Sequence, residues 1–144
     1  MTNQEYEKMV ESYTKNSPIW SDCLKAFIVG GLVCLIGEGL RHFFLSRGLS
    51  ETLAASSVSI SLILLAAILT AFGVFEKIAK FAGAGTLVPI TGFSNSVVSP
   101  AMEYRTEGWV TGVGAKMFIV AGPVIVYGTG ASIIAGLIYF LFMR

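Results

Sequence analysis

A run of small uncharged polar side chains lies between Phe81 and Met102, where the chain carries no charged residue. Hydroxyls and an amide bind polar solutes weakly, and weak, repeated binding is what conduction through a membrane requires. Pro89 and Pro100 each remove a backbone donor from any helix that forms there. The sequence therefore predicts a solute pathway, and its candidate residues are Thr86, Thr91, Ser94, Asn95 and Ser99.

Glu38 is a second candidate, because it lies in an apolar stretch with Arg41 and His42 three and four residues further on. An ionisable side chain at membrane depth is costly unless it is paired or hydrated, and it commonly marks a functional site. In the alternative interpretation, the helix leaves the hydrocarbon near Gly37 and Glu38 pairs with Arg41 among the lipid headgroups. The sequence leaves both interpretations open.

Serine hydrolase chemistry is the enzymatic alternative, because the stretch GFSNS resembles a nucleophile turn. The G-x-S-x-G pattern is not matched, its strand–turn–helix context is absent, and His42 is the only histidine. Neither Cys23 nor Cys34 has other ligands at metal-binding spacing. We expect no catalytic residue, no metal and no cofactor. The net charge of +1 gives no basic field for nucleic acid.

The elements that must position these residues are membrane helices. Hydrophobic residues make up 54% of the 144-residue chain and charged residues 13%, whereas a soluble protein carries about 25% charge. Mean hydropathy is +0.74. We predict an all-α integral membrane protein with about four membrane segments. They are placed at residues 25–44, 52–75, 82–102 and 117–142, and the third is broken or re-entrant.

Residues 1–24 are polar and lean acidic, without the basic start and early apolar run of a secretory signal. They are expected to form a cytoplasmic tail, followed by an uncleaved first helix. Four full crossings put six of the ten Lys and Arg residues on the N-terminal side, and re-entry of the third segment puts seven there. Positive residues favour the cytoplasm, so the charge count slightly prefers re-entry.

The third segment is predicted to form two half-helices with a break near Thr91–Ser96. Backbone groups freed by a break cannot be left bare in hydrocarbon, so the break must meet protein or water. Broken helices of this kind build solute sites in transporters. The alternative is that the small polar residues only pack helix against helix.

Three stretches resemble the SpoVA membrane subunits of spore-forming Firmicutes: KAFIVGGLVCLIGEGL, FGVFEKIAKFAGAGTLVPITGFSNSVVSPAMEYRTEG and AGPVIVYG. The resemblance covers nearly everything from Lys25 to Tyr127. It implies a channel for dipicolinic acid with Ca²⁺, with mechanosensitive character, in the inner (forespore) membrane of the spore. Uptake would occur during sporulation and release at germination.

The same resemblance implies partners, namely sister SpoVA subunits of the AD and AE types, in a hetero- or homo-oligomer within the lipid bilayer. With an anionic solute, Arg105 and Lys116 are candidates for gathering it at one mouth of the pathway. Their alternative role is interfacial anchoring. A structural subunit that binds sister chains, which themselves form the pore, is the rival function.

Overall fold

The computed structural model describes Tyr6, Met9, Val10 and residues 18–142, and in that part of the chain every regular element is helical. The all-α prediction is confirmed there. Most of the predicted tail, residues 1–24, lies outside the described residues. The α-helices are α1 Ile19–Ser46, α2 Glu51–Ala71, α3 Val74–Ala82, α4 Ala84–Leu87, α5 Ile90–Glu103 and α6 Phe118–Phe142. A 3-10 turn, Tyr104–Glu107, and a π-helix, Trp109–Gly114, join α5 to α6.

Three segments are long and apolar enough to cross a membrane: α1, α2 and the stretch Trp109–Phe142 that contains α6. The predicted count of about four therefore rests on the third, broken segment. Its longer helix, α5, has 14 residues, which corresponds to about 21 Å. That is shorter than the bilayer hydrocarbon, about 30 Å thick, so α5 does not span by itself.

The first two helices differ most from the predicted bounds at one end each. Helix α1 begins at Ile19 rather than at residue 25, directly after Pro18, and Asp22 lies in its first turn. An acidic side chain there favours the helix start. Helix α2 ends at Ala71 rather than at residue 75, because Gly73 adopts the left-handed conformation with φ 69°. Glycine in that conformation commonly ends a helix.

Helix α3 follows α2 directly, and it is amphipathic. Phe75 and Ala82 are buried on its inner side, while Glu76 and Lys80 are exposed and pair at 2.7 Å. The hydrogen bond from Lys80 holds the pKa of the Glu76 carboxyl below its usual value of 4.5. The pair is present at neutral pH, and because the pKa is lowered, Glu76 becomes protonated and the pair is lost at a lower pH than for an unpaired glutamate.

The bundle packs through small residues rather than through a large core. Helices α1 and α2 form a hairpin in which Gly37 lies against Val58 and Leu62. Small side chains at such contacts let membrane helices approach closely. The buried apolar residues are Ala54, Leu62, Ala66, Phe75, Ala82 and Ala121. The large apolar side chains of α6 are exposed along its length, which suits contact with lipid or with another subunit.

Single cysteines at Arg47, Lys77 and Arg105, in a background with Cys23 and Cys34 replaced by serine, test this arrangement. We expect Arg47→Cys and Lys77→Cys to react with impermeant thiol reagents from opposite sides. We expect Arg105→Cys to react from the side of Lys77, because α5 is too short to span and the charge count prefers re-entry.

Labelling of Arg47→Cys and Lys77→Cys from one side contradicts the α1–α2 hairpin. Labelling of Arg105→Cys from the side of Arg47 shows instead that the broken segment crosses the bilayer. Detergent-solubilised samples, in which all three cysteines should react, serve as the control for reactivity.

Candidate functional site

The break in the third segment lies at Val88–Pro89, between α4 and α5. The predicted position near Thr91–Ser96 is wrong, because those residues form the first turns of α5. Pro89 has an extended ψ of 165° and stands at the N-cap of α5. Proline has no backbone N–H to continue the ladder of α4, but it is well suited to the start of a new helix.

Pro100, which was expected to remove a backbone donor, does not break the segment. It lies inside α5, which continues to Glu103. A proline in a helix costs one ladder hydrogen bond, but its fixed φ is itself helical. So close to the C-terminal end of α5, that loss does not stop the helix.

Two of the predicted pathway residues hold the chain around the break. Thr86 and Thr91 are 2% and 6% exposed. The Thr86 hydroxyl donates to the Gly83 carbonyl at 3.1 Å, and the Thr91 hydroxyl donates to the Thr86 carbonyl at 3.5 Å. Both hydroxyls are therefore directed at the chain itself, as buried polar groups must be when no water reaches them.

Two further predicted residues attach α5 to α2. Ser94 is 5% exposed and its hydroxyl donates to the Ile63 carbonyl at 2.9 Å. The next residue, Asn95, is half-buried, and its side chain lies 3.0 Å from the Thr70 hydroxyl. Ile63 and Thr70 are two turns apart, about 10 Å along the helix. The two side chains therefore fix α5 to α2 at two separate levels.

The contact between Thr70 and Asn95 has one consistent hydrogen-bond arrangement. The Thr70 hydroxyl lies 2.7 Å from the Ala66 carbonyl and 3.0 Å from the Asn95 amide oxygen as placed. A hydroxyl has a single hydrogen, and the oxygen and nitrogen of an amide are interchangeable by a flip. Both contacts are satisfied when Thr70 donates to Ala66 and the flipped Asn95 amide nitrogen donates to Thr70.

The remaining predicted residues lie apart from this buried group. Ser99 and Arg105 are exposed, on α5 and on the 3-10 turn that follows it. Lys116 is half-buried, and its ammonium lies 4.5 Å from the centre of the Tyr104 ring. A cation over a tyrosine face is a stabilising contact, and it fits the anchoring role. Arg105 and Lys116 nevertheless both lie in the connection between α5 and α6, so they are at the same end of the broken segment.

Glu38 belongs to an ion cluster that joins α1 to α2. Its carboxylate lies 3.1 Å from Arg41 and 3.3 Å from His42, and Arg41 also contacts Glu51 at 3.0 Å. All four side chains are at least 39% exposed. This geometry favours the headgroup-pairing interpretation of Glu38, because Glu51 begins α2 and marks the end of its apolar span.

The hydrolase alternative finds no support in these contacts. The Ser94 hydroxyl is bonded to the Ile63 carbonyl, whereas His42 contacts Glu38 in the cluster near the loop between α1 and α2. A nucleophilic serine needs a base within hydrogen-bond reach. The structure gives each of the two residues a different partner.

Gly85 and Gly92 have packing roles whose contacts the sequence could not identify. A Cβ on Gly85 would overlap the backbone of Ala26 in α1, and one on Gly92 would overlap the carbonyl groups of Thr86 and Leu87. These glycines allow α4 to lie directly on α1 and the chain to turn tightly between α4 and α5. Only three-dimensional proximity reveals that role.

Three apolar segments, a short amphipathic helix and a proline-broken segment packed among them define a helical, multi-pass membrane protein. The model of the SpoVAC/SpoVAEB sporulation membrane protein family matches residues 22–138, and the chain belongs to this family. Stage V sporulation protein AC of Bacillus subtilis (strain 168) is 46% identical over 147 residues, covering 100% of this chain and 98% of that protein. No solved structure matches the chain.

Proposed function

We propose that this chain is a channel subunit for dipicolinic acid, carried together with Ca²⁺ across the inner (forespore) membrane. Uptake takes place in sporulation and release in germination. Membership of a sporulation membrane protein family supports this. The observation that carries the proposal is the helix break at Val88–Pro89, which adjoins buried hydroxyls. Irregular backbone at membrane depth is tolerated inside protein or beside a water-filled cavity.

The described arrangement corresponds to a closed pathway in this proposal. Thr86, Thr91 and Ser94 direct their hydroxyls at backbone carbonyls. Each such bond contributes about 0.5–1.5 kcal/mol net, so a shift of α5 on α2 can exchange the Ser94 bond to Ile63 for a bond to water or solute. A small planar dianion, or its calcium chelate, then meets neutral groups that bind it without trapping it.

The other candidates extend that pathway at its ends. Asn95 and Ser99 continue the polar side of α5, and Arg105 and Lys116 gather the anion at the mouth beyond α5. Glu38 remains a candidate only if the ion cluster opens. The chain has no role as an enzyme in this proposal.

A second function, structural support for a pore formed by sister SpoVA subunits of the AD and AE types, is favoured by a different observation. Among residues 18–142, no buried side-chain polar atom lacks a hydrogen-bond partner. The same hydroxyls therefore suffice for packing alone. The exposed apolar surface of α6 would then be a docking face for sister chains.

Flux through the purified chain alone separates the two functions. Liposomes loaded with dipicolinate and carrying only this protein are expected to release it when membrane tension is raised by osmotic downshift. Protein-free liposomes and liposomes with the Gly85→Ala variant are the controls. Release that appears only after sister subunits are added contradicts the channel proposal and supports the structural one.

Replacing Glu38 with glutamine should leave assembly intact and change stability by less than about 1 kcal/mol, because exposed ion pairs contribute little. Arg41 retains Glu51 as a partner in the variant. We expect dipicolinate flux to have the same pH dependence as in the parent protein. The measurement compares both proteins at acidic and neutral pH. A changed pH profile places Glu38 in the pathway instead.

A further inference from the structure

An apolar pocket of about 280 Å³ lies between α1 and α2. Residues of α3 and two threonines on either side of the break also line it. Leu32 and Ile36 of α1 and Leu65 of α2 line it and are 42–52% exposed, so they form its rim. Ala66 and Phe75 line it and are 1% and 3% exposed, so they belong to its floor. All three rim residues lie within the apolar spans of α1 and α2. The pocket therefore opens sideways, into the hydrocarbon of the bilayer.

The lining of the pocket excludes a polar occupant. Among the described residues that line it, only Thr86 and Thr91 have polar side chains, and both hydroxyls donate to backbone carbonyls around the break. An apolar cavity stays dry, because water needs polar partners to enter. A charged solute such as a dicarboxylate would lose its hydration there without compensation. The occupant must therefore be hydrocarbon.

The size of the pocket selects among apolar occupants. It is about twice as large as a 150 Å³ apolar cavity that accommodates benzene. A transmembrane helix from another subunit, about 10 Å across, is far too wide to enter it. A flexible hydrocarbon chain fits, and the membrane around the rim residues consists of such chains.

We propose that this pocket binds one acyl chain of a bilayer phospholipid, which enters between Leu32 and Leu65 and reaches Phe75 and the Thr86–Thr91 turn. Burial of the chain is favourable because it fills a dry void, whose lining otherwise lacks partner atoms for dispersion contacts. The lipid then contacts both residues that bond the chain around the break. This inference does not depend on which solute the protein carries.

Photocrosslinking provides the direct test. The full-length protein is reconstituted with a phospholipid that carries a diazirine along its acyl chain, and labelled residues are located by mass spectrometry. We expect labelling of the buried residues Ala66 and Phe75 in addition to the exposed Leu64, because only a lipid inside the pocket reaches the floor. Labelling confined to exposed residues such as Leu64 and Ile60 overturns the proposal.

Two matched variants on α2 test whether the pocket holds a phospholipid, by measuring how much phospholipid each purified protein retains. Leu69→Trp fills the pocket from its wall, whereas Leu64→Trp makes the same change at an exposed site that does not line it. Native mass spectrometry should show one retained phospholipid per chain for the parent and for Leu64→Trp. Retention should fall at least fivefold for Leu69→Trp. Equal retention in the two variants contradicts lipid binding in the pocket. Protein–protein crosslinks at Phe75 also contradict it, because they show that a partner chain occupies the pocket. If Leu69→Trp does not fold, the crosslinks of the parent decide alone.

Discussion

Replacing Gly85 with alanine is expected to destabilise the protein by about 1–3 kcal/mol, the usual cost of forcing an extra methyl group into packed structure. A Cβ at this position would overlap the backbone of Ala26, and backbone cannot swing aside as a side chain can. Helix α4 must then move away from α1, and the break that follows it loses its support. We also expect dipicolinate flux in liposomes to fall at least tenfold.

The matched control is Gly31→Ala. Gly31 lies in α1 beside Gly30, which faces Gly85, but a Cβ on Gly31 meets nothing within 4 Å. Alanine is favoured over glycine inside a helix by about 1 kcal/mol, so this variant should be as stable as the parent or more stable. Thermal unfolding in detergent, followed by circular dichroism, measures both. A Gly85→Ala protein as stable as Gly31→Ala would show that α4 does not lie on α1.

The helices could be predicted from the sequence because they depend on local features. Long apolar stretches and a lack of charge locate α1, α2 and α6, and a single segment can satisfy its own backbone in lipid only as a helix, since strands need a closed barrel. The observed helix ends differ from the predicted ends where a single residue determines the end. Gly73 ends α2 through its left-handed conformation, and hydropathy contains no information about that choice.

The break shows why the candidate site was only partly predictable. Composition identified the unusual segment and its polar residues, but two prolines and three glycines offered several places for the chain to unwind. Pro89 starts a helix and Pro100 is tolerated inside it, so identical residues have different effects. Pro100 lies near the C-terminal end of α5, whereas the break at Pro89 lies between the contact of Gly85 with Ala26 and that of Ser94 with Ile63. Such contacts between distant residues cannot be read from one sequence.

The direction of the hydroxyls matters more for function than their presence. Thr86 and Ser94 were predicted as pathway residues because they are polar at membrane depth, and both are buried against carbonyls. The same geometry serves a closed channel and a rigid scaffold. A closed channel and a rigid scaffold can be distinguished at a residue on the edge of the buried hydroxyls. Such a residue becomes reachable after a small movement of α5. Asn95 is that residue, since it is half-buried and faces Thr70.

A double-mutant cycle measures first whether Asn95 and Thr70 are coupled. Asn95→Leu and Thr70→Val should each destabilise the protein, and the interaction energy between them should be about 0.5–1.5 kcal/mol, the net value of one hydrogen bond. Leucine at 95 should also reduce flux, but it would do so whether Asn95 fixes the two helices or lines the pathway. Coupling near zero would mean that α5 is not fixed to α2 at this level.

A cysteine at position 95 then separates the two roles. In a background with Cys23 and Cys34 replaced, we expect the Asn95→Cys thiol to be inert toward a small water-soluble reagent in resting liposomes. It should react at least tenfold faster while the protein conducts, because α5 must leave α2 for solute to pass, and dipicolinate should slow that reaction. Arg105→Cys, exposed in the structure, controls for reagent access, and Gly136→Cys on α6 controls for a lipid-facing thiol. A thiol at 95 that stays inert while flux is measured in the same liposomes excludes this segment from the pathway. Its polar residues would then serve only to fix α5 to α2.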